Sequence, residues 1–197
     1  MTQIRSLAVL CGSREGADPA YRAAAERLGA LIAERGVRLI YGGGSIGLMG
    51  VIADAVLSRG GEVIGVIPEF LVRYEVGHAR VSEMIVTDSM HERKRRMFEM
   101  ADGIVTLPGG LGTLDETFEI VTWKQLRLHA KPIVILDTGG YWAPLEALVR
   151  ATIDGGFAHG AIAGLYTVVQ SPEDVFAALA AAPEPDERVL TSHLERG

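Results

Sequence analysis

The chain has 197 residues, of which 48% are apolar and 6% aromatic, and its formal net charge at pH 7 is −6. This length suits one domain with an aliphatic core, while the acidic balance argues against a broad surface for nucleic acid or anionic membrane. The single cysteine, Cys11, excludes an internal disulfide and a multi-cysteine metal site.

Short β-branched runs alternate with longer helical patterns along the chain. The predicted strands are Ser6–Leu10, Val37–Tyr41, Glu62–Ile67, Met84–Thr87, Gly103–Leu107, Pro132–Leu136 and Thr167–Gln170. The predicted helices are Ala20–Arg35, Ile46–Arg59, Ser89–Ala101, Thr113–Leu128, Tyr141–Gly155 and Pro172–Ala181. Apolar strands separated by helices predict a single α/β domain, with a doubly wound, Rossmann-like, mostly parallel sheet and helices on both faces. We expect this domain to span residues 1–181 and residues 182–197 to form a loosely held tail.

Three of the predicted strands end in turns of small residues: Cys11–Ser13, Gly42–Ser45 and Pro108–Gly110. In a parallel sheet these turns share the carboxyl edge, where open α/β folds bind their ligands. Glycine lets the backbone approach a phosphate closely, and the N–H groups of the following helix then face that phosphate. A small anionic ligand is therefore compatible with the acidic net charge.

The second of these turns also fits the dinucleotide pattern G-x-G-x-x-G, through Gly42, Gly44 and Gly47. With Glu69 as the acidic partner, the pattern makes an NAD(P)-dependent oxidoreductase one hypothesis. Tight packing of the helix against the strand, without any ligand, explains the same glycines about as well.

The turn at Pro108 leads into a predicted helix in which Thr113 and Glu116 have the spacing of a capping box. In that structural explanation Thr113 caps the helix, and the Glu116 carboxylate accepts from the Thr113 N–H. A carboxylate on the first turn is also stabilised by the helix dipole. On this motif alone the capping explanation is favoured. Because stability and chemistry would select the same residue, another observation must decide between them.

Two cations lie on the inward side of the predicted helix Ser89–Ala101. At about 100° per residue, Arg93 and Lys94 flank its apolar stripe, where an unpaired charge is unfavourable. Convergence of both on an anion is the favoured explanation. The alternatives are a snorkelling Lys94 and an internal salt bridge to Glu116 or Glu119.

Other site types find little support. The histidines lack metal-ligand spacing, so no metal site is predicted. Asp115 and Glu116 diverge on a helix and are not expected to act as paired carboxylates. No apolar run reaches the roughly 18 residues of a membrane span, and no secretory signal pattern is present. We therefore expect a cytoplasmic location.

Several motifs together carry a family resemblance. Residues Pro108–Glu116 read PGGLGTLDE and match PGGxGTxxE; CGS at Cys11, YGGGSIGLMG from Tyr41, MHERK from Met90 and TWKQLRLHAKP from Thr122 occur in the same chain. With these motifs the chain resembles the LONELY GUY (LOG) family of cytokinin riboside 5′-monophosphate phosphoribohydrolases, often mislabelled lysine decarboxylases. The resemblance implies hydrolysis of the N-glycosidic bond of AMP or an N6-substituted AMP, without cofactor or metal, by a homodimer.

Carried over by position, the resemblance implies that Arg93 and Glu116 are catalytic. The substrate-binding residues it implies are Ser13, Gly44, Glu75, Lys94, Gly110, Leu111, Gly112, Thr113, Leu114, Asp115 and Thr122. Backbone N–H groups of Gly110–Thr113 and the Thr113 hydroxyl would bind the 5′-phosphate. The sequence departs from the family pattern at Arg14, which replaces a small residue, and at Arg127, which replaces a glycine.

Two further functions are alternatives. A nucleotide-binding sensor or carrier without turnover would be similar to the related molybdenum-cofactor carrier proteins, but the presence of both Arg93 and Glu116 counts against it. A pyridoxal-phosphate decarboxylase needs a Schiff-base lysine. Lys94 is already assigned to the cation pair, and Lys124 and Lys131 have no recognisable cofactor context.

Overall fold

A parallel sheet of seven strands forms the centre of the protein. The computed structural model describes residues 4–75, 77–183 and 189, with the backbone alone for residues 73–75. The strands are β1 (Ser6–Leu10), β2 (Arg38–Tyr41), β3 (Val63–Pro68), β4 (Glu83–Thr87), β5 (Gly103–Thr106), β6 (Ile133–Leu136) and β7 (Thr167–Val169). Each of the predicted strands is present, with ends that differ by one residue at most.

Helices connect the strands in chain order. They are α1 (Pro19–Glu34), α2 (Gly47–Leu57), α3 (Glu69–Glu75), α4 (Met90–Met100), α5 (Leu111–Gln125), α6 (Ala143–Asp154) and α7 (Val175–Ala181). Short 3-10 turns precede α6 and α7 at Thr138–Gly140 and Pro172–Asp174, and a third covers Gly160–Gly164. Among the described residues, no helix combines the length and apolarity that crossing a bilayer requires.

The strand order is β4-β3-β2-β1-β5-β6-β7, with every neighbouring pair parallel. The order therefore reverses between β1 and β5, which lie side by side at the centre. Along β1 the side chains alternate between two cores: Leu7 and Val9 belong to one, Ala8 and Leu10 to the other. Both faces of the sheet are covered, which confirms the doubly wound fold predicted from the sequence.

Local signals set the ends of helix α1. Asp18 is the N-cap, and its Oδ1 accepts from the Ala20 N–H at 2.8 Å, with Pro19 at the first helical position. The chain leaves the helix through Gly36, whose φ of +63° lies in the left-handed region. Helix α1 therefore begins and ends one residue before the predicted bounds, Ala20–Arg35.

Three predictions of secondary structure were wrong. Helix α3 was not predicted; it follows Pro68 without an intervening loop, and Phe70 on it is exposed. Helix α5 begins at Leu111, two residues before the predicted start at Thr113. The last predicted helix begins as the 3-10 turn Pro172–Asp174 and becomes α-helical only at Val175. Each error concerns a helix whose start lacks a strong capping signal or continues directly from another element.

Helix α5 ends in a Schellman motif centred on Arg127. The Arg127 N–H donates to the Lys124 carbonyl at 3.1 Å, and the Leu128 N–H donates to the Trp123 carbonyl at 2.9 Å. The φ of Arg127 is +57°, a left-handed conformation that glycine adopts without a steric penalty. The glycine that Arg127 replaces in the family pattern is therefore the residue that this backbone favours.

Replacing Arg127 by glycine is expected to raise the free energy of unfolding by about 0.5–1 kcal/mol, since it relieves the left-handed backbone. Urea unfolding would measure the change. The control is Arg96→Gly in the exposed interior of α4, which we expect to lower stability by about 1 kcal/mol. Equal destabilisation by both substitutions would contradict this interpretation of position 127.

The predicted division of the chain at residue 181 remains a prediction. Apart from residues 182, 183 and 189, the proposed tail lies outside the described residues.

Candidate active site

The candidate site lies at the carboxyl edge of the sheet, where the strand order reverses between β1 and β5. The loops that follow these two strands touch there. The Gly12 N–H donates to the Pro108 carbonyl at 3.0 Å, and a Cβ on Gly12 would lie 3.2 Å from the Gly109 Cα. Two of the three predicted glycine turns are therefore brought together, and glycine is required at their contact.

Helix α5 points its amino end into this edge. Gly110 is the N-cap in an extended conformation, and the first helical N–H with a backbone acceptor among the described residues is that of Leu114, which donates to the Gly110 carbonyl at 3.0 Å. The preceding N–H groups, those of Leu111, Gly112 and Thr113, belong to the open first turn. Such a turn attracts an anion through its N–H groups and through the helix dipole.

The predicted capping box at Thr113 and Glu116 is wrong. Because α5 starts at Leu111, Thr113 is the third residue of the helix and cannot be its N-cap. Its side chain is buried against the Gly109 backbone, and its carbonyl accepts from the Thr117 hydroxyl at 2.6 Å. Capping therefore does not explain the choice of a carboxylate at position 116.

The glycines of the turn after β5 fall into two kinds. A Cβ on Gly109 would collide with the Thr113 side chain and would lie 2.8 Å from the Gly12 nitrogen, so the packing of the chain itself demands glycine. A Cβ on Gly110 or Gly112 would meet no heavy atom within 4 Å, and neither residue has a positive φ. Glycine at these two positions keeps space open beside the first turn of α5.

Replacing Gly112 by alanine is expected to weaken binding of a phosphate-bearing nucleotide while leaving the fold intact. Alanine stabilises a helix relative to glycine by about 1 kcal/mol, so the free energy of unfolding should not fall. The affinity for AMP, measured by calorimetry, is expected to drop about tenfold or more through loss of close backbone approach. Gly109→Ala is the contrasting variant and should lose stability. Unchanged AMP affinity in Gly112→Ala would contradict phosphate binding at the first turn of α5.

Arg93 and Glu116 meet behind this turn. Arg93 Nη1 lies 3.5 Å from Glu116 Oε1, and the two side chains are only 7% and 12% exposed. Arg93 Nε donates to the Val66 carbonyl at 3.1 Å, and Nη2 donates to the Gly42 carbonyl at 3.0 Å. The inward orientation predicted for Arg93 is confirmed. The guanidinium is fixed by the ends of β2 and β3 and presents its remaining edge to the carboxylate.

The glycines of the second turn accommodate protein atoms. A Cβ on Gly42 would collide with the Arg93 guanidinium, and one on Gly47 would collide with the backbone of Ser13 and Arg14. The packing explanation therefore accounts for two glycines of the G-x-G-x-x-G pattern, Gly42 and Gly47.

Lys94 also faces helix α5, on the side next to Arg93. Its Nζ lies 3.1 Å from Asp115 Oδ2 and 3.0 Å from Glu119 Oε2. Burial lowers the pKa of Lys94, but the hydrogen bonds to Glu119 and Asp115 outweigh this effect, and the net shift is upward. Lys94 therefore remains an ammonium held by two carboxylates. Both internal salt bridges that were the alternative to a bound anion, Arg93–Glu116 and Lys94–Glu119, are present.

The remaining predicted residues of α5 differ in exposure and in position along the helix. Asp115 diverges from Glu116 on α5, as predicted, and its side chain is 61% exposed. Leu111 is exposed at the helix start, whereas Leu114 packs against the core around Trp142. Exposed Thr122 lies six residues beyond Glu116, about 9 Å along the helix axis.

Two predicted ligand contacts lie on the β2 side of the edge. Gly44 forms an isolated antiparallel bridge with Gly77, which ties the turn after β2 to the loop after α3. Glu75 is the last residue of α3, where the structure describes the backbone alone. The exposed Ser13 lies in the loop after β1, with its backbone against Gly47.

Sequence reasoning missed two residues next to the site. Cys11 is fully buried at the end of β1, and burial first, then the Glu116 carboxylate, raise the pKa of its thiol, while Arg93 acts in the opposite direction. Tyr141, from the connection between β6 and α6, donates its hydroxyl to the Gly109 carbonyl at 2.5 Å. Both interactions join residues far apart in the chain, and no local sequence pattern predicts them.

Comparison with known proteins identifies the family. Residues 49–179 match the family model described as "possible lysine decarboxylase". The cytokinin riboside 5′-monophosphate phosphoribohydrolase LOG of Oryza sativa subsp. japonica is 44% identical over 156 residues, which cover 79% of this chain and 64% of that protein. The chain belongs to the LOG family. The match thus spans a little under two thirds of that relative's length.

Other relatives agree with this assignment to the LOG family. A probable cytokinin riboside 5′-monophosphate phosphoribohydrolase of the same rice, LOGL9, is 47% identical over 79% of this chain and 69% of its own length. Among solved structures, the molybdenum cofactor binding protein of Rippkaea orientalis superposes with a TM-score of 0.69 at 23% identity, covering 92% of this chain and 98% of that one. At that identity the structural likeness shows a shared fold alone.

Proposed function

We propose that this LOG-family chain hydrolyses the N-glycosidic bond of AMP or an N6-substituted AMP, releasing the free base and ribose 5-phosphate. The observation that carries the proposal is the buried Arg93–Glu116 pair beside the open first turn of α5. A carboxylate and an anion-binding helix start are the two groups that this substrate needs. The rice relatives described above are phosphoribohydrolases by name.

The 5′-phosphate is assigned to the backbone N–H groups at the start of α5. Gly110 and Gly112 leave room for it, and the N–H groups of the first turn complement its charge. The Thr113 hydroxyl was also expected to contribute. Because its side chain is only 4% exposed and packs against Gly109, the backbone N–H groups now carry the assignment.

Glu116 is assigned to the ribose and to the attacking water. Cleavage between C1′ and the base nitrogen develops positive charge on the ribose, as in other glycoside hydrolyses, and a nearby carboxylate stabilises that charge. Glu116 also accepts a proton as water adds to C1′, while the departing base gains a proton. The ribose hydroxyls are further partners for the same carboxylate.

Arg93 is assigned to charge stabilisation and positioning. A guanidinium does not release its proton at neutral pH, so it is not the general acid. Held by the Val66 and Gly42 carbonyls, it fixes the position of the Glu116 carboxylate. Lys94 assists with the phosphate only if its contacts with Asp115 and Glu119 rearrange on binding.

Particular residues argue against each of the competing functions. The oxidoreductase hypothesis rested on Gly42, Gly44 and Gly47, and packing against protein atoms explains the first and last of these. A Schiff base needs a neutral lysine; Lys94 is a paired ammonium, and Lys131 precedes β6 at the opposite edge of the sheet. A carrier without turnover has no need for a buried carboxylate beside the anion site.

The deciding experiment is a product assay with a panel of nucleoside monophosphates. We expect release of base and ribose 5-phosphate from AMP or from its N6-prenylated form, and none from the corresponding nucleosides at equal concentration. Binding of AMP without any product would favour the carrier. Binding of a nicotinamide cofactor in place of AMP would favour the oxidoreductase.

We also propose that the chain acts as a cytoplasmic homodimer. The family resemblance implies a homodimer, and the strongly exposed Leu111, Leu128 and Phe157, at 84%, 68% and 91%, offer apolar area that an interface would bury. Light scattering after size exclusion would measure the mass. The unpaired, buried Cys11 fits a reducing compartment.

A further inference from the structure

Tyr141 connects the β6–α6 segment to the turn that precedes α5. Its hydroxyl donates to the carbonyl of Gly109 at 2.5 Å, across 32 positions of sequence. Gly109 is the residue before the N-cap Gly110, so the contact falls on the peptide that leads into the open first turn.

The ring of Tyr141 is held firmly on both sides. It packs edge-on against Tyr21 of α1, with 5.5 Å between centroids, and against Trp142, with 4.9 Å between centroids. Trp142 is buried, and its backbone N–H donates to Asp137 Oδ1 at 2.6 Å. The packing of these aromatic rings therefore positions the Tyr141 hydroxyl next to the Gly109 carbonyl.

The backbone at Gly109 and Gly110 needs such a restraint. Two consecutive glycines have little steric preference, so the plane of the peptide between them rotates easily. In a trans peptide the carbonyl of one residue and the N–H of the next point in opposite directions. Fixing the Gly109 carbonyl therefore fixes the direction of the Gly110 N–H.

The direction that results favours the candidate site. Tyr141 packs against Tyr21, on the face of the sheet that α1 covers, and the Gly109 carbonyl points toward it. The Gly110 N–H consequently points away from the Tyr141 hydroxyl. Space is open beside this residue, since a Cβ on Gly110 would meet no heavy atom within 4 Å.

We propose that Tyr141 is a positioning residue for phosphate binding, whose hydroxyl holds the Gly109–Gly110 peptide with its N–H directed at the 5′-phosphate. The inference rests on the proposed function and adds a residue to its binding site. Tyr141 acts through the backbone, so its contribution concerns the phosphate-bearing part of the ligand and not the base.

Tyr141→Phe tests this proposal because it keeps the ring packing and removes only the hydroxyl. Loss of one hydrogen bond is expected to weaken the affinity for ribose 5-phosphate about three- to tenfold, and to raise KM for AMP by a similar factor with kcat nearly unchanged. The affinity for adenine, which carries no phosphate, should stay at the wild-type value. The control is Tyr21→Phe, which retains the same aromatic pair and should bind ribose 5-phosphate as the wild type does.

Calorimetry with ribose 5-phosphate and with adenine decides the outcome. Wild-type affinity for ribose 5-phosphate in Tyr141→Phe, equal losses for both ligands, or an equal loss in Tyr21→Phe would each overturn the positioning role. Base release from AMP is scored separately. A wild-type chain that binds ribose 5-phosphate without cleaving AMP would refute the proposed function, while the comparison of affinities would still decide the role of Tyr141.

Discussion

Replacing Glu116 by glutamine is expected to reduce base release from AMP about 100- to 10,000-fold, since the amide neither accepts the proton of water nor stabilises positive charge on the ribose. The fold should persist, because glutamine has the same shape and keeps an oxygen that can face Arg93 at the position of the present ion pair. Product release under saturating AMP, with circular dichroism as the check on folding, measures both effects.

Glu119→Gln is the matched control for this variant. Glu119 lies one turn further along α5 and pairs with Lys94 instead of Arg93. We expect it to keep most of the wild-type rate, because its carboxylate is not assigned to the ribose. If Glu116→Gln released base at the wild-type rate, the assignment of Glu116 would be wrong.

Arg93→Lys is expected to lower the rate of base release about 100-fold, comparable with the loss of an electrostatic donor in other enzymes. The guanidinium reaches the Val66 carbonyl, the Gly42 carbonyl and the Glu116 carboxylate together. A single ammonium cannot replace this planar arrangement. A buried acceptor that loses its donor also destabilises the fold, here by about 1–3 kcal/mol.

The control for position 93 is Arg95→Lys on the same helix. Arg95 is exposed and pairs with Glu99 one turn away, at 3.0 Å, an arrangement that contributes about 0.3–0.5 kcal/mol. Kinetics and urea unfolding of both variants separate the catalytic effect from the structural one. A wild-type rate in Arg93→Lys would show that the geometry of the guanidinium is not needed.

The centre of the sheet was predictable because strands such as β1, β3, β5 and β6 are buried along their whole length and therefore appear as continuous apolar runs. The inward direction of Arg93 followed from helical periodicity alone. Its carbonyl partners could not be predicted, since Gly42 in the turn after β2 and Val66 in β3 contribute only backbone carbonyls. A side-chain pattern contains no information about which carbonyl a buried cation will find.

The capping box suggested by the sequence is absent because spacing alone does not show where a helix begins. Thr113 and Glu116 have the right spacing, but the helix begins at Leu111, and Gly110 supplies the extended N-cap without a side-chain hydrogen bond. Local spacing fixes a helix start only when the capping side chain is used. The contact of Tyr141 with Gly109 could not be predicted either, because it depends on how β6 is placed beside β5.

The pairing of β1 with β5 has a consequence for how the chain reaches its active form. These neighbours in the sheet are separated by nearly half of the sequence, and each belongs to a different half of the strand order. Arg93 comes from the half that ends with α4, and Glu116 comes from the half that begins with β5. Contacts of such long sequence separation close the longest loops and form slowly. A partly folded chain with only one half of the sheet in place therefore lacks the ion pair, and the regain of activity on refolding reports the joining of the two halves.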